Sequence, residues 1–212
     1  MQKYKIKEIF GPTIQGEGSQ AGKPVFFIRF SGCNKWNGRE QSKAKSICSY
    51  CDTDFVGGDW MTAHDINERV VSIAAGYPIK ILVLSGGEPT MQVDSSLIET
   101  LKNYGWEIHI ETNGTSDMEK YHHLIDHITM SPKQSPQQTK LKSCSDIKFL
   151  YPYIGNGITP KNFSVSDISY KNIFIQPIMR DDYHENLKEA IDECLLYNYR
   201  LSIQQHKIIG VD

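Results

Sequence analysis

The sequence lacks several features that define other classes of protein. No hydrophobic run approaches the roughly 20 residues that a membrane-spanning helix needs, and the first residues have neither the apolar core nor the cleavage site of a secretion signal. Neither sign of charge dominates, because 23 Lys and Arg face 25 Asp and Glu. Without a broad positive field to gather phosphates, a small molecule is a better partner than nucleic acid. These absences predict a cytoplasmic protein that binds neither membrane nor nucleic acid.

Cysteine is scarce, with five residues at positions 33, 48, 51, 144 and 194. An odd number of cysteines in a protein of a reducing compartment does not suit a disulfide framework. The first three lie close together, with fourteen residues between Cys33 and Cys48 and two between Cys48 and Cys51. This spacing indicates a metal or redox site.

The apolar residues follow an alternation of strands and helices. A capping box at Thr62 and Asp65 begins a predicted helix over 62–76, and helical spacing predicts two more over 94–104 and 183–199, the last with Leu187, Ala190, Ile191, Cys194 and Leu195 facing inward. Short β-branched and aromatic runs predict strands at 25–30, 81–84, 106–110, 147–150 and 173–175, with weaker candidates at 128–130 and 201–203.

This alternation predicts an α/β fold with a largely parallel sheet. About six to seven mostly parallel strands with few helices are too few for a closed eight-fold barrel, so we expect an open, incomplete (β/α) barrel. The chain contains no internal repeat and no linker, which favours one domain over residues 1–212.

The three clustered cysteines directly follow the strand predicted at 25–30. Three thiolates leave one iron of a four-iron, four-sulfur cluster without a protein ligand, and an open position is what a catalytic metal site needs. Two alternatives remain at this point. A thioredoxin-like pair expects no third thiol, and a structural zinc site needs a fourth ligand, such as Cys144 or a histidine.

A second motif follows the strand at 81–84, where residues 85–90 read Ser-Gly-Gly-Glu-Pro-Thr. Glycine lets the backbone approach a ligand closely, and proline stiffens the turn. The run resembles the motif by which radical S-adenosylmethionine (SAM) enzymes hold the amino group of SAM, with backbone carbonyls and the Glu88 carboxylate near the ammonium. The two motifs together indicate the radical SAM superfamily.

Within that superfamily, the sequence resembles the 7-carboxy-7-deazaguanine synthase family of queuosine and deazapurine biosynthesis. Some members of this family also place fourteen residues between the first two cysteines. Further matches lie in the segments 13–18, 27–33, 50–53, 111–114, 131–133 and 176–177. A radical SAM activase acting on a partner protein is the competing enzyme, and a non-enzymatic zinc or electron-transfer module is the competing class.

The resemblance implies a lyase reaction, in which 6-carboxy-5,6,7,8-tetrahydropterin contracts to 7-carboxy-7-deazaguanine with loss of ammonia. The reduced cluster would cleave SAM to a radical that takes a hydrogen atom from the pterin and later receives it back, so that SAM is regenerated. The resemblance also implies a magnesium ion and a homodimer.

The resemblance assigns roles to individual residues. Cys33, Cys48 and Cys51 would hold the cluster, and Thr53 would bind magnesium. Arg29 would face the substrate carboxylate; a structural ion pair is the other explanation, since an arginine inside an apolar strand is costly unless paired. The SAM contacts would be Tyr50, Asp52, Gly87, Glu88, Thr112, Asn113, Ser131, Pro132, Lys133 and Gln176. The other substrate contacts would be Ile14, Gln15, Gly16, Thr90, His206 and Asp212.

Two further segments carry expectations. The insert 34–47 has four basic residues against one acidic residue, a net charge of +3, which favours docking of an acidic electron donor such as flavodoxin. The segment 206–212 is expected to belong to the active site, and its apolar residues Ile208, Ile209 and Val211 are expected to be buried.

Overall fold

The computed structural model describes residues 2–155 and 157–211, and one sheet runs through them. Its nine strands within these ranges are β1 (Tyr4–Ile14), β2 (Pro24–Phe30), β3 (Asp59–Met61), β4 (Ile81–Gly86), β5 (Glu107–Thr112), β6 (His127–Met130), β7 (Asp146–Tyr151), β8 (Asn172–Pro177) and β9 (Arg200–Leu201). Their order across the sheet is β3-β1-β2-β4-β5-β6-β7-β8-β9.

The sheet is parallel from β2 to β9 and antiparallel only where β1 pairs with β2 and β3. The edge strands β3 and β9 are not hydrogen-bonded to each other in the described residues, so the sheet stays open. The predicted open, incomplete barrel of mostly parallel strands is therefore confirmed. All seven predicted strands are present.

Two strands, β1 and β3, were not predicted. Gly11 and Pro12 interrupt the alternation of β1, and the pairing of β1 with β2 shifts register between Phe10 and Thr13. Strand β3 has only three residues, two of them exposed, so it carries no apolar signal. Antiparallel edge strands of this kind form without the crossover helices that reveal a parallel strand.

The three longest helices in the described residues occur where they were predicted. They are α2 (Ala63–Ala74), α3 (Ser95–Asn103) and α5 (Tyr183–Tyr197), and the short helices are α1 (Glu40–Lys43), α4 (Pro160–Ser164) and α6 (Gln205–Ile209). The predicted capping box begins α2, because Thr62 Oγ1 accepts from Asp65 N and Asp65 Oδ2 accepts from Thr62 N. Helix α5 ends two residues early, where Asn198 adopts the left-handed conformation that stops helices.

The hydrophobic core lies between the sheet and helices α2 and α3. Ile28, Leu84 and Ile110 point to this side and pack in one cluster with Leu97 and Ile98 of α3. Because side chains alternate along a strand, the neighbouring residues point to the other face, toward the interior of the open barrel. That interior is polar, and it contains the candidate site.

One part of the expected helix packing is wrong. Ala190 and Cys194 of α5 are buried, but Ile191 is 37% exposed and Leu195 is 79% exposed. Helix α5 packs mainly on β8 and on the edge strand β9, so this narrow contact covers a thinner stripe than the sequence predicts. No helix in the described part of the chain is both long and apolar enough to cross a membrane.

Candidate active site

A cavity of about 450 Å³ opens at the carboxyl ends of the parallel strands. Six strands contribute to its wall, with Ile14 of β1, Arg29 of β2, Ser85 of β4, Glu111 of β5, Leu150 of β7 and Gln176 of β8. Parallel α/β sheets bind ligands at this end because the loops that follow the strands vary without disturbing the sheet.

The three clustered cysteines lie beside one another at the edge of this cavity. Burial raises the pKa of Cys33 and of Cys51, and negative charge on the neighbouring Cys48 raises both pKa values further. In residues 2–155 and 157–211, no three His, Cys, Asp or Glu side chains are grouped as a single metal ion requires. The donor set is three thiols, which is the ligand type that iron–sulfur clusters take.

The insert between the first two cysteines packs against these thiols. Trp36 meets Phe55 edge-to-face with ring centres 5.5 Å apart, and Cys48 completes this buried cluster. The Trp36 indole N–H donates to Ser42 Oγ at 3.1 Å, which ties Trp36 to α1 within the insert. The insert therefore shields the thiols from water with aromatic rings.

The Gly-Gly-Glu-Pro loop is held directly against the loop that carries Cys33. Gly87 N donates to Phe30 O at 3.2 Å, and Glu88 N donates to Gly32 O at 2.9 Å. A Cβ on Gly87 would lie 2.0 Å from the Gly32 carbonyl oxygen, so only glycine fits there. The two motifs therefore form one structural unit.

A polar loop fills the barrel interior beneath the cavity. Gln15 Nε2 donates to Glu111 Oε1 at 3.0 Å, Glu17 forms an ion pair with Lys148, and Ser19 donates to Asp146. Closed barrels fill this space with layers of apolar side chains. Here one loop reaches across the open side and satisfies buried polar groups of two different strands.

The ion pair makes Glu17 an unusually strong acid for a buried residue. Burial raises its pKa, but the charge of Lys148, with hydrogen bonds from Lys148 and Gln204, lowers it to about 2. Burial lowers the pKa of Lys148, and the charges of Glu17 and Glu111 outweigh that effect and raise it. Both groups are therefore ionised at neutral pH.

The C-terminal helix α6 covers one side of the cavity. Gln205 N donates to Gly16 O at 3.0 Å, and Lys207 Nζ forms an ion pair with Asp52 in the loop of the third cysteine. His206 and Lys207 line the cavity. That the segment 206–212 belongs to the active site stays a prediction.

The expected burial of the same segment is wrong. Ile208 is 60% exposed, Ile209 is 58% exposed and Val211 is 39% exposed. Helix α6 turns its polar residues inward because the cavity it covers is polar, and its apolar residues then face outward. Asp212, which was expected to contact the substrate, lies outside the described residues.

Comparisons with known proteins agree with these features. Residues 44–151 match the family model described as the radical SAM superfamily. The chain is 39% identical to 7-carboxy-7-deazaguanine synthase from Caulobacter vibrioides and 37% identical to that from Bradyrhizobium diazoefficiens, covering 98% of this chain and 99% of each relative. The chain belongs to the 7-carboxy-7-deazaguanine synthase family. It is a radical SAM enzyme, and its superfamily implies a four-iron, four-sulfur cluster and SAM as cofactors.

The crystal structure of QueE from Escherichia coli has the same fold. It superposes with a TM-score of 0.66 and covers 95% of this chain and 94% of that one, at 23% sequence identity. At this identity the likeness concerns the fold. It agrees with the open, mostly parallel sheet described above.

The cavity of this family member brings together most of the residues that the sequence indicated. Four predicted residues within the described ranges do not line the cavity, namely Cys33, Cys48, Thr90 and Pro132, and the last two are buried. The predicted residues that line the cavity are Ile14, Gln15, Gly16, Arg29, Tyr50, Cys51, Asp52, Thr53, Gly87, Glu88, Thr112, Asn113, Ser131, Lys133, Gln176 and His206.

Arg29 combines both explanations that the sequence left open. Its Nε lies 2.6 Å from Glu8 Oε1, which is the structural ion pair, and its guanidinium stacks over the Phe10 ring at 5.4 Å. It also lines the cavity. The ion pair engages Nε and not the terminal nitrogens of the guanidinium.

Sequence reasoning missed Glu17, Glu111, Lys148 and Gln204 as cavity residues. Glu17 and Glu111 lie inside matched segments, but neither has a sequence neighbour that reveals its partner. A signal existed for Lys148, because a lysine between Ile147 and Phe149 in a buried strand is costly unless it is paired. The cost of burying an unpaired charge singled out Arg29 in the sequence, and it applies equally to Lys148.

Glu88 holds the cavity loops together from inside the protein. It is 1% exposed, and its Oε1 accepts from the hydroxyls of Thr90 and Thr112 at 2.5 and 2.6 Å. Its Oε2 accepts from Asn113 N at 2.7 Å. Burial raises the pKa of Glu88, and these hydrogen bonds oppose the rise. Contact of this carboxylate with the SAM ammonium stays a prediction.

We expect Glu88→Ala to lower both stability and SAM affinity. Four buried donors, the backbone nitrogen of Thr90 included, lose their acceptor, which costs about 2–4 kcal/mol in free energy of unfolding and loosens the loop that would bind SAM. Thermal unfolding and equilibrium binding of SAM measure the two effects. The control is Glu99→Ala on the exposed face of α3. Equal SAM affinity in the two variants would contradict this role.

Proposed function

We propose that this protein converts 6-carboxy-5,6,7,8-tetrahydropterin to 7-carboxy-7-deazaguanine with release of ammonia. The observation that carries the proposal is the joining of the three-thiol loop and the Gly-Gly-Glu-Pro loop at one polar cavity, in a chain of this family. The relatives' names give the product, and the polar lining suits a small, hydrogen-bonding heterocycle.

The residues present fit the two implied cofactors. Cys33, Cys48 and Cys51 would supply thiolates to a cluster that keeps one iron without a protein ligand, and Gly87, which has no side chain, lets its loop lie directly against the loop of Cys33. When bound, the cluster and SAM supply the radical that removes and later returns a hydrogen atom of the substrate. The chain's own task is to hold the reactants in register and to exclude water.

The proposed SAM contacts form a polar rim next to the thiols. Lys133 Nζ donates to Ser131 Oγ at 2.7 Å and lies 5.9 Å from the centre of the Tyr50 ring. Asn113 Nδ2 donates to Asn34 Oδ1 at 3.0 Å, which joins this rim to the insert. These groups offer donors for a carboxylate and hydroxyls for a ribose.

The proposed substrate contacts also line the cavity. Arg29 offers its terminal nitrogens to the pterin carboxylate, while Gln15 and His206 offer hydrogen bonds to the ring. Gly16 leaves room for His206 because it has no side chain.

We also propose a magnesium ion at Thr53, which lines the cavity two residues after Cys51. Magnesium keeps several waters, so one hydroxyl and substrate oxygens suffice as ligands. Thr53→Ala is expected to raise the magnesium concentration needed for half-maximal turnover by about tenfold. The control is Thr100→Ala on α3. Full turnover of chelator-treated, magnesium-free enzyme would remove the metal from the proposal.

Two partners complete the proposal. An acidic reductant such as flavodoxin would dock on the basic insert, where Lys43 lies 5.6 Å over the Trp36 ring that shields the thiols. A second copy of the chain would form a homodimer, and the exposed Leu195 and Leu196 of α5 offer an apolar surface for it.

The amount of SAM consumed for each product formed distinguishes this proposal from its alternatives. A ring contraction that regenerates SAM yields many products for each SAM lost, whereas an activase consumes one SAM for each partner protein that it modifies. We expect reconstituted enzyme to form product well beyond the amount of 5′-deoxyadenosine released. A colourless protein with stoichiometric zinc and no SAM binding would instead favour the non-enzymatic module.

A further inference from the structure

Lys148 is buried beneath the proposed substrate site and has not been assigned a role. Its side chain is 4% exposed, and its Nζ forms an ion pair with Glu17 and lies 3.7 Å from Glu111 Oε2. The free oxygen of each carboxylate is held by an amide, since Gln204 Nε2 donates to Glu17 Oε1 at 2.8 Å and Gln15 Nε2 donates to Glu111 Oε1 at 3.0 Å. All five residues line the cavity.

The charges of this group do not cancel. One ammonium faces two carboxylates, so the cavity wall keeps a net negative charge next to the space that a ligand would enter. The carboxylates come from different parts of the chain, because Glu17 lies in the loop after β1 and Glu111 lies in β5. Lys148 is the group that both of them contact.

We infer that Lys148 is a positioning residue, which acts on the substrate by fixing Glu17 and Glu111 as charged acceptors for the N–H groups of the ring. This inference rests on the proposed function. A ring rich in N–H donors binds more strongly to an ionised acceptor than to a neutral one. Lys148 itself does not need to touch the substrate.

The ionisation of Glu17 makes this role measurable. Lys148 faces Glu17 from β7, and Gln204 and His206 face it from the C-terminal segment. Glu111 lies on the Lys148 ammonium, and Asp146 accepts from Ser19 in the loop of Glu17. With Lys148 in place, the pKa of Glu17 is about 2, so Glu17 stays ionised at any ordinary assay pH. Without Lys148, the effect of burial is no longer outweighed and the pKa of Glu17 rises, so Glu17 is then protonated at lower pH and ionised again at higher pH.

The test compares wild type with Lys148→Met over pH 6 to 9. We expect Lys148→Met to raise KM at least about tenfold at the acidic end, with a smaller change in kcat, and to recover as pH rises. Wild type is expected to show no such recovery. Adding Glu17→Gln to Lys148→Met should abolish the pH dependence and leave KM high throughout. The control, Lys171→Met, replaces an exposed lysine.

Thermal unfolding accompanies each assay. A merely structural ion pair would lower the unfolding temperature without a pH-dependent change in KM, and that result would overturn the inference. If Lys148→Met does not fold, the single variant Glu17→Gln replaces it in the test, because Lys148 then remains paired with Glu111. A raised KM at every pH supports the inference, and an unchanged KM overturns it. A wild type that makes no product would instead overturn the proposed function.

Discussion

Alanine at Cys33, Cys48 or Cys51 is expected to abolish cluster assembly and SAM cleavage completely, whereas alanine at Cys144 or Cys194 leaves both intact. The first three thiols lie together beside the cavity. Each of the three thiolates would bind a different iron of the cluster, so the two that remain in a single variant would not retain the cluster.

The other two cysteines serve as matched controls because they belong to a separate hydrophobic cluster. Cys144 is 6% exposed and Cys194 is 9% exposed, and both pack in the main core. Burial raises the pKa of Cys144 to about 12, and its thiol packs in a different cluster from the other three cysteines. We expect Cys144→Ala to cost about 1–2 kcal/mol of stability from lost packing.

Iron and sulfide analysis of anaerobically reconstituted variants measures this prediction. About four irons per chain are expected in wild type and in both controls, and none in the other three variants. Loss of iron from Cys144→Ala equal to that from Cys51→Ala would show four thiolate ligands. That result would remove the open iron on which the chemistry depends.

Gly16→Ala is expected to raise KM for the pterin by at least about tenfold, or about 1.4 kcal/mol, while cluster content stays unchanged. A Cβ at this position would lie 2.1 Å from His206 Nδ1 and 2.7 Å from the backbone nitrogen of the same residue. The backbone nitrogen has no freedom to rotate away, so α6 must shift. His206 then leaves its position in the cavity wall.

Ile208→Ala is the control for this effect. Ile208 lies on the same short helix, but it is 60% exposed and does not line the cavity. Steady-state kinetics of both variants at saturating SAM measure the difference. A KM for Gly16→Ala within twofold of the control would mean that the position of α6 does not matter for substrate binding.

Local signals in the sequence were sufficient to predict most of the helices and strands. Thr62 and Asp65 identify the start of α2 because a capping box is complete within four residues. Strands β2, β4 and β8 contain short continuous apolar runs, so they stand out from their surroundings. Strand β1 gave no such signal, because Gly11 and Pro12 divide it and one of its faces is polar.

Contacts between distant segments could not be predicted from the sequence in the same way. The exposure of Ile191 and Leu195 depends on how far the sheet edge extends beneath α5, which no residue of the helix encodes. The pairing of Glu17 with Lys148 joins residues 131 positions apart in the chain. Sequence motifs indicated which residues border the cavity. The ion-pair network of Glu17, Lys148 and Glu111 could be recognised only in the folded structure.

The most direct test of the central claim is anaerobic incubation of the reconstituted protein with SAM, magnesium, a reductant and 6-carboxy-5,6,7,8-tetrahydropterin, followed by mass spectrometry. We expect 7-carboxy-7-deazaguanine to accumulate over many turnovers, together with one ammonia for each product. A protein that contains about four irons and cleaves SAM, yet leaves the pterin unchanged, would contradict the proposed function.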